Sequence, residues 1–185
     1  ALSRTVDQLS HEGETLDAEV FRFKLPQPVP GGTLVTAIHQ PDVVTRSHGL
    51  DPLFTIDLRF AEASAALYDT LLRFEDGMLV PGLAERWESD PTAKRYRISL
   101  RRGVQFHDGV PLEATHVKAH FERLMDPRVG SPDQGVLKDV EGAVAWMTGE
   151  ARGVTGIEVL DAHTLDIKLA EPRAYFLRLL ALTST

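Results

Sequence analysis

Between Arg95 and Arg101 the chain alternates without a break. Tyr96, Ile98 and Leu100 are apolar, and Arg95, Arg97, Ser99 and Arg101 are charged or hydroxylic. Successive side chains on a strand point to opposite faces, so the pattern demands a sheet with one buried and one wet face. Ile157 and Val159, then Leu165, Ile167 and Leu169, alternate in the same way on either side of DAHT (161–164), which reads as a hairpin. Between the two tracts Ala114, Val117, Phe121 and Leu124 recur at helical spacing. The helix they define runs from about Glu113 to Met125; Pro111 fits at or near its first turn, and Asp126-Pro127 stops it. The chain is therefore expected to be α+β, with short, largely antiparallel strands.

The remaining segments are read around this frame. LPQPVPGG (25–32) packs three prolines and two glycines into eight residues, which makes residues 1–30 an N-terminal extension or linker. TLVTAI (33–38) is a β-prone run, and His39 to Pro52 lacks any period and reads as a loop. Leu58, Ala61, Ala65, Tyr68 and Leu72 step by three and four, predicting an amphipathic helix over Asp57–Leu72. EDG (75–77) is a turn, GLAERW (82–87) a single helical turn, and Asp90-Pro91 another turn. Val104 and Phe106 alternate with Gln105 and His107, so a short strand should run up to Asp108-Gly109. A helix is expected near Val140–Met147, and AYFLRLLAL (174–182) is apolar nearly all round, predicting a buried helix.

Charge and composition narrow the function classes. Lys and Arg number 20 against 27 Asp and Glu, a net charge of −7. Nucleic acids and anionic membranes call for a basic stripe, and the chain has none, so neither is an expected partner. With no cysteine, disulfides, zinc–thiolate sites and thiol catalysis are excluded. No apolar run approaches the ~20 residues of a membrane-spanning helix.

Candidate chemistry is sparse. His116 and His120 lie four apart on one helix face, a metal-binding spacing, with His107 or Glu113 as conceivable third ligands. Val117 stands where a zinc-protease motif would carry its glutamate, and a solvated His pair is the simpler reading; no metal is expected. His107 and Asp108 are adjacent on an extended segment and point to opposite faces, so an acid/base couple is disfavoured. Ser64 sits in no nucleophile-elbow or triad context, Gly31-Gly32 matches no phosphate-cradling loop, and Glu75-Asp76 are turn residues. The chain thus reads as a binding or scaffolding protein, with no catalytic residues and no cofactor.

The motifs GGTL (31–34), LDP (50–52), LYDTLLRFEDG (67–77), LVPGLAERWE (79–88), YRISLRRGVQFHDGVPLEATHV (96–117) and HTLDIKLAEPRAYFLRLLA (163–181) occur in this order. Together they resemble the peptide/nickel-type solute-binding proteins of ABC importers (family 5), in particular the oligopeptide-binding branch. The resemblance runs from about Gly31 to the end. It implies the N-terminal part of a two-lobed periplasmic-binding-protein fold of type II: 1–30 as extension, 31–52 as the first strand and loop of lobe I, and 53–185 as the small α/β subdomain, with the second lobe outside this sequence. It also implies a periplasmic or cell-surface receptor that captures peptide, hands it to a membrane permease, and touches the membrane only through that permease. A solute-sensing domain of a transcriptional regulator, and a nickel or haem receptor of the same fold, are the alternatives. The family's N-terminal peptide contacts map onto Arg46, Ser47 and His48. Two departures stand out. A tyrosine that contacts peptide in oligopeptide binders has no counterpart at 132–136, and His116 stands where relatives usually carry the aspartate that starts or orients the helix.

Overall fold

The fold is laid out in a computed structural model that describes residues 51–54 and 64–182. All of them belong to one unit spanning residues 38–185. After a 3-10 turn at Pro52–Phe54 the elements are β1 (Leu72–Glu75), β2 (Met78–Pro81), β3 (Ala84–Ser89), β4 (Arg95–Leu100), α1 (Ala114–Met125), α2 (Ala143–Met147), β5 (Ile157–Asp161), β6 (Thr164–Lys168) and α3 (Phe176–Leu179). The extension 1–30, the strand expected at 33–38 and most of the 39–52 loop lie outside the described residues.

Strands β3, β4, β6 and β5 form, in that order, a four-stranded antiparallel sheet, and β1 and β2 form a separate hairpin. The alternation of β4 is realised: Tyr96, Ile98 and Leu100 are buried, while Arg95 and Arg97 are exposed. Tyr96 pairs with Ile167 and Ile98 with Leu165, so the inward residues of β4 and β6 lie side by side. Helix α1 contributes Ala114, Val117, Phe121, Leu124 and Met125 to the same core. Phe176 of α3 packs on Tyr96 with ring centroids 5.1 Å apart, and the Tyr96 hydroxyl donates to the Arg173 carbonyl at 2.7 Å. Each large apolar side chain buried this way contributes about 1.5–3 kcal/mol.

On the outer face Asp166 pairs directly with Arg97, yet it has no solvent exposure. The Arg97 guanidinium donates to both carboxylate oxygens, at 2.8 and 3.0 Å, and Arg95 donates through Nε at 2.9 Å and also through Nη2. Two forked donors satisfy a carboxylate that burial alone would penalise. The Arg97 hydrogen bond, followed by that of Arg95, holds the Asp166 carboxyl below the usual carboxylate range against the opposing effect of burial.

Turn chemistry follows the sequence at both Asp-Gly pairs. Asp76 and Gly77 both adopt positive φ between β1 and β2, the backbone such a two-residue hairpin requires. At 107–109, Gly109 has φ 85°, the Phe106 N–H donates to the Val110 carbonyl at 2.8 Å, and Asp108 Oδ1 accepts the Val110 N–H at 3.0 Å. His107-Asp108 is thus a corner. Asp126, preceding Pro127, takes φ −69° and ψ 120°, which ends α1.

Several expectations are corrected. GLAERW (82–87) is the entry to β3 and contains no helical turn. A register shift between Ala84 and Arg86 breaks the two-residue period, so buried Ala84 and half-buried Trp87 fall at a helix-like spacing of three. Of the helix expected over 57–72, residues 64–67 are helical and 57–63 lie outside the described residues. The helix does not reach Leu72, because Leu71 and Thr70 use their carbonyls to accept the N–H groups of Gly82, Leu83 and Ala84. The strand expected at 104–107 is reduced to one bridge between Gln105 and Pro111, and Pro111 stands just ahead of the N-cap Glu113, near the first turn as expected. The helix near 140–147 is confined to α2, with Val140 bridged to Leu169. The apolar run 174–182 yields only the single turn α3: Phe176 and Leu180 are buried, whereas Tyr175 and Leu182 are exposed.

Two outcomes follow. A Cβ on Gly156 would meet the carbonyl oxygens of Glu141 and Lys168, each at 2.7 Å, whereas one on Gly135 meets nothing within 4 Å. Gly156→Ala should therefore cost about 1–3 kcal/mol in urea unfolding and Gly135→Ala far less. Asp166→Asn should cost about 1–3 kcal/mol at pH 7. The native pKa of Asp166 is depressed, so its contribution is present above the unfolded carboxylate value of about 3.9 and is lost as pH falls through the lower native value. The gap between Asp166→Asn and the parent should accordingly close in unfolding curves recorded below about pH 4.

Candidate functional site

Asp51-Pro52 opens the described structure, and Asp51 is held by three hydrogen bonds. Its carboxylate receives both terminal nitrogens of Arg123 on α1, Nη1 at 3.1 Å and Nη2 in a shorter contact. Its Oδ1 also accepts the Leu53 N–H at 3.2 Å, folding the turn onto its own side chain. Leu53 is fully buried, and its carbonyl accepts the Ser131 hydroxyl at 2.7 Å. The segment carrying Ser131 is tied to the same helix, where Gln134 donates to the Met125 carbonyl at 2.9 Å. The Arg123 hydrogen bond lowers the Asp51 carboxyl below its ordinary range.

A cavity of about 520 Å³ opens beside this anchor. Leu71, Leu83, Leu112, Val117 and Phe121 supply apolar walls; Asp51, Tyr68, Asp69, His116, His120 and Arg123 supply the polar rim. Fork-shaped pairing of Arg123 with Asp51 fixes one side of the opening. An apolar hollow with a few convergent polar groups can seat a compact apolar group of a ligand or of another segment.

The sequence candidates fall in different places. Arg46, Ser47 and His48 lie outside the described residues, a few positions before Asp51 in the sequence. His116 and His120 both line the cavity, but His116 does structural work: its Nδ1 accepts the Glu113 N–H at 3.0 Å at the start of α1. Its ring meets Phe106 edge-on, centroids 5.2 Å apart. Among the described residues no group of three or more His, Asp or Glu side chains is arranged to hold a metal ion. His107 and Asp108 sit in the exposed corner, and Ser64 is buried. No helix among the described residues is long and apolar enough to cross a membrane.

Sequence reasoning missed Arg123 and Ser131. Their partners lie 72 and 78 residues away, so no local spacing could reveal them. The only available signal was the charge of Arg123 beside the buried stripe of α1.

Residues 78–185 match the family described as bacterial extracellular solute-binding proteins, family 5 Middle. The probable deoxycholate-binding periplasmic protein YgiS of Escherichia coli (strain K12) is 33% identical over 136 residues, 71% of this chain and 25% of its own length. The periplasmic oligopeptide-binding protein OppA of the same organism is 30% identical over 171 residues, 87% of this chain and 31% of its own. Among solved structures, Haemophilus influenzae OppA in complex with RPPGFSPFR superposes with a TM-score of 0.69 at 27% identity, covering 73% of this chain and 27% of that one. The murein tripeptide-binding protein MppA, in its unliganded open form, gives a TM-score of 0.68 at 29% identity, with 74% and 27% covered. The chain thus spans about a quarter to a third of the relatives it matches. Its fold is that of the type II periplasmic binding proteins, and the chain belongs to the family 5 bacterial extracellular solute-binding proteins.

Proposed function

We propose that the chain is part of the substrate-binding component of an ABC importer that captures peptides in the periplasm or at the cell surface and delivers them to a membrane permease. The observation that carries this reading is the likeness, at 27–29% identity, to receptors solved with peptide bound or named for peptide. Under it, residues 31–52 begin the first lobe, 53–185 form the small α/β subdomain, and 1–30 are a linker. Arg46, Ser47 and His48 supply ligand contacts, presented by the Asp51–Arg123 anchor that follows them. Capture proceeds by main-chain hydrogen bonding to an extended peptide and closure of two lobes around it, with no bond made or broken. A steroid-like amphiphile is a second reading of the cargo, favoured by the 33% identity to a relative named for deoxycholate.

Native mass spectrometry of the full-length protein, purified from its host with cargo retained, separates the two. A peptide ladder supports the first reading and a single sterol-like mass the second; a ligand-free protein that also ignores added peptides and added deoxycholate in calorimetry contradicts both. The 185-residue chain alone should bind peptide weakly or not at all, and a micromolar isotherm for it would contradict the division of labour between lobes. In the full-length protein, Arg123→Gln should weaken peptide binding about tenfold, equivalent to 1.4 kcal/mol, while leaving the midpoint of thermal unfolding nearly unchanged.

A further inference from the structure

The start of α1 is fastened by an unusual group. The first four N–H groups of a helix lack intrahelical partners. Here the Ala114 N–H reaches the Ala162 carbonyl on the β5–β6 turn at 2.8 Å, and the N–H of Glu113, the N-cap residue, donates to Nδ1 of His116 at 3.0 Å. This reciprocal bond from the third helical position is ordinarily made by a carboxylate or amide oxygen, which accepts at any pH near neutrality. An imidazole Nδ1 accepts only while it carries no proton, which fixes the neutral ring with its hydrogen on Nε2. The same ring stands edge-on to Phe106, whose segment is closed by the Gln105–Pro111 bridge. His116 therefore joins the helix start to the 105–111 corner on the rim of the cavity.

We propose that His116 is a proton-operated clasp: neutral, it holds the start of α1 and the 105–111 corner together; protonated, it lets both loosen. Protonation converts the acceptor into a donor facing a donor. It also places a positive charge at the positive end of the helix dipole. The surrounding charges are mixed. On α1 and its cap are Glu113, His120 and Arg123; on the corner, His107 and Asp108; across the cavity, Tyr68, Asp69 and Asp51; on the β5–β6 turn, Asp161 and His163. Asp51 is engaged by Arg123, and Asp108 and Asp161 accept the backbone N–H groups of Val110 and His163. Among the described residues, Asp69 and Glu113, whose side chain accepts the His116 backbone N–H, are the remaining carboxylates on that side, set against His120 and Arg123.

The test is hydrogen–deuterium exchange of the full-length protein at pH 8 and pH 5, corrected for intrinsic rates, in the parent, His116→Asp and His116→Ala. His116→Asp keeps an acceptor at both pH values, and His116→Ala lacks one at both. The parent should match His116→Asp at pH 8 and move toward His116→Ala at pH 5, with the change confined to peptides covering 105–116. The thermal midpoint of His116→Asp should rise relative to the parent by about 1 °C on going from pH 8 to pH 5. Parent and His116→Asp protected alike at both pH values would overturn the proposal. So would His116→Ala matching the parent at pH 8, and if that variant fails to fold, the His116→Asp comparison decides alone.

Discussion

Strand β4 is paired along both of its edges, with β3 on one side and β6 on the other, and the placement of every other element depends on that. Its inward residues define the floor on which α1 and α3 rest. Its outward arginines close over Asp166 and fix β6 in register. A one-residue slip between β4 and β6 would expose Ile98 and Leu165 and leave Asp166 buried without its donors. The apolar floor and the charged cover therefore specify the same register, and α1, tethered to the β5–β6 turn at Ala162, is carried into place with the sheet.

Placing α1 in turn sets the site. Its C-terminal half offers Arg123 to Asp51, and the turn that follows offers Ser131 to Leu53, so the turn over Asp51–Phe54 is clasped by groups that the sheet has positioned. Asp51, Asp126, Asp139 and Asp166 are each engaged by guanidinium groups, and the Ser131 hydroxyl is spent on a carbonyl. Under the proposed function, the unit is a mount beside which a loop meets cargo.

Much of this was legible in the sequence wherever one physical signal acted alone. The alternation in 95–101, the hairpin around DAHT, the helical stripe Ala114–Leu124 and the Asp-Gly turns all describe their elements correctly, because burial on one face and positive φ leave direct marks on residue choice. Reading failed where two signals overlapped. The irregularity at Ala84–Arg86 imitates a helical period, and Leu72 continues a helical stripe although its backbone belongs to a hairpin. The run 174–182 looked like a longer buried helix because apolar residues also line the turn around it. The site was less legible than the fold: the Asp51–Arg123 and Leu53–Ser131 links join residues distant in sequence, and the capping role of His116 depends on which nitrogen faces Glu113.

The proposed function turns on whether this unit mounts a ligand-contacting loop. A crystal structure of the full-length protein with its retained cargo tests it most directly. The account predicts cargo against Arg46, Ser47 and His48, with the Asp51–Arg123 pair intact behind them. Cargo enclosed wholly among residues 64–182, away from that loop, would contradict it.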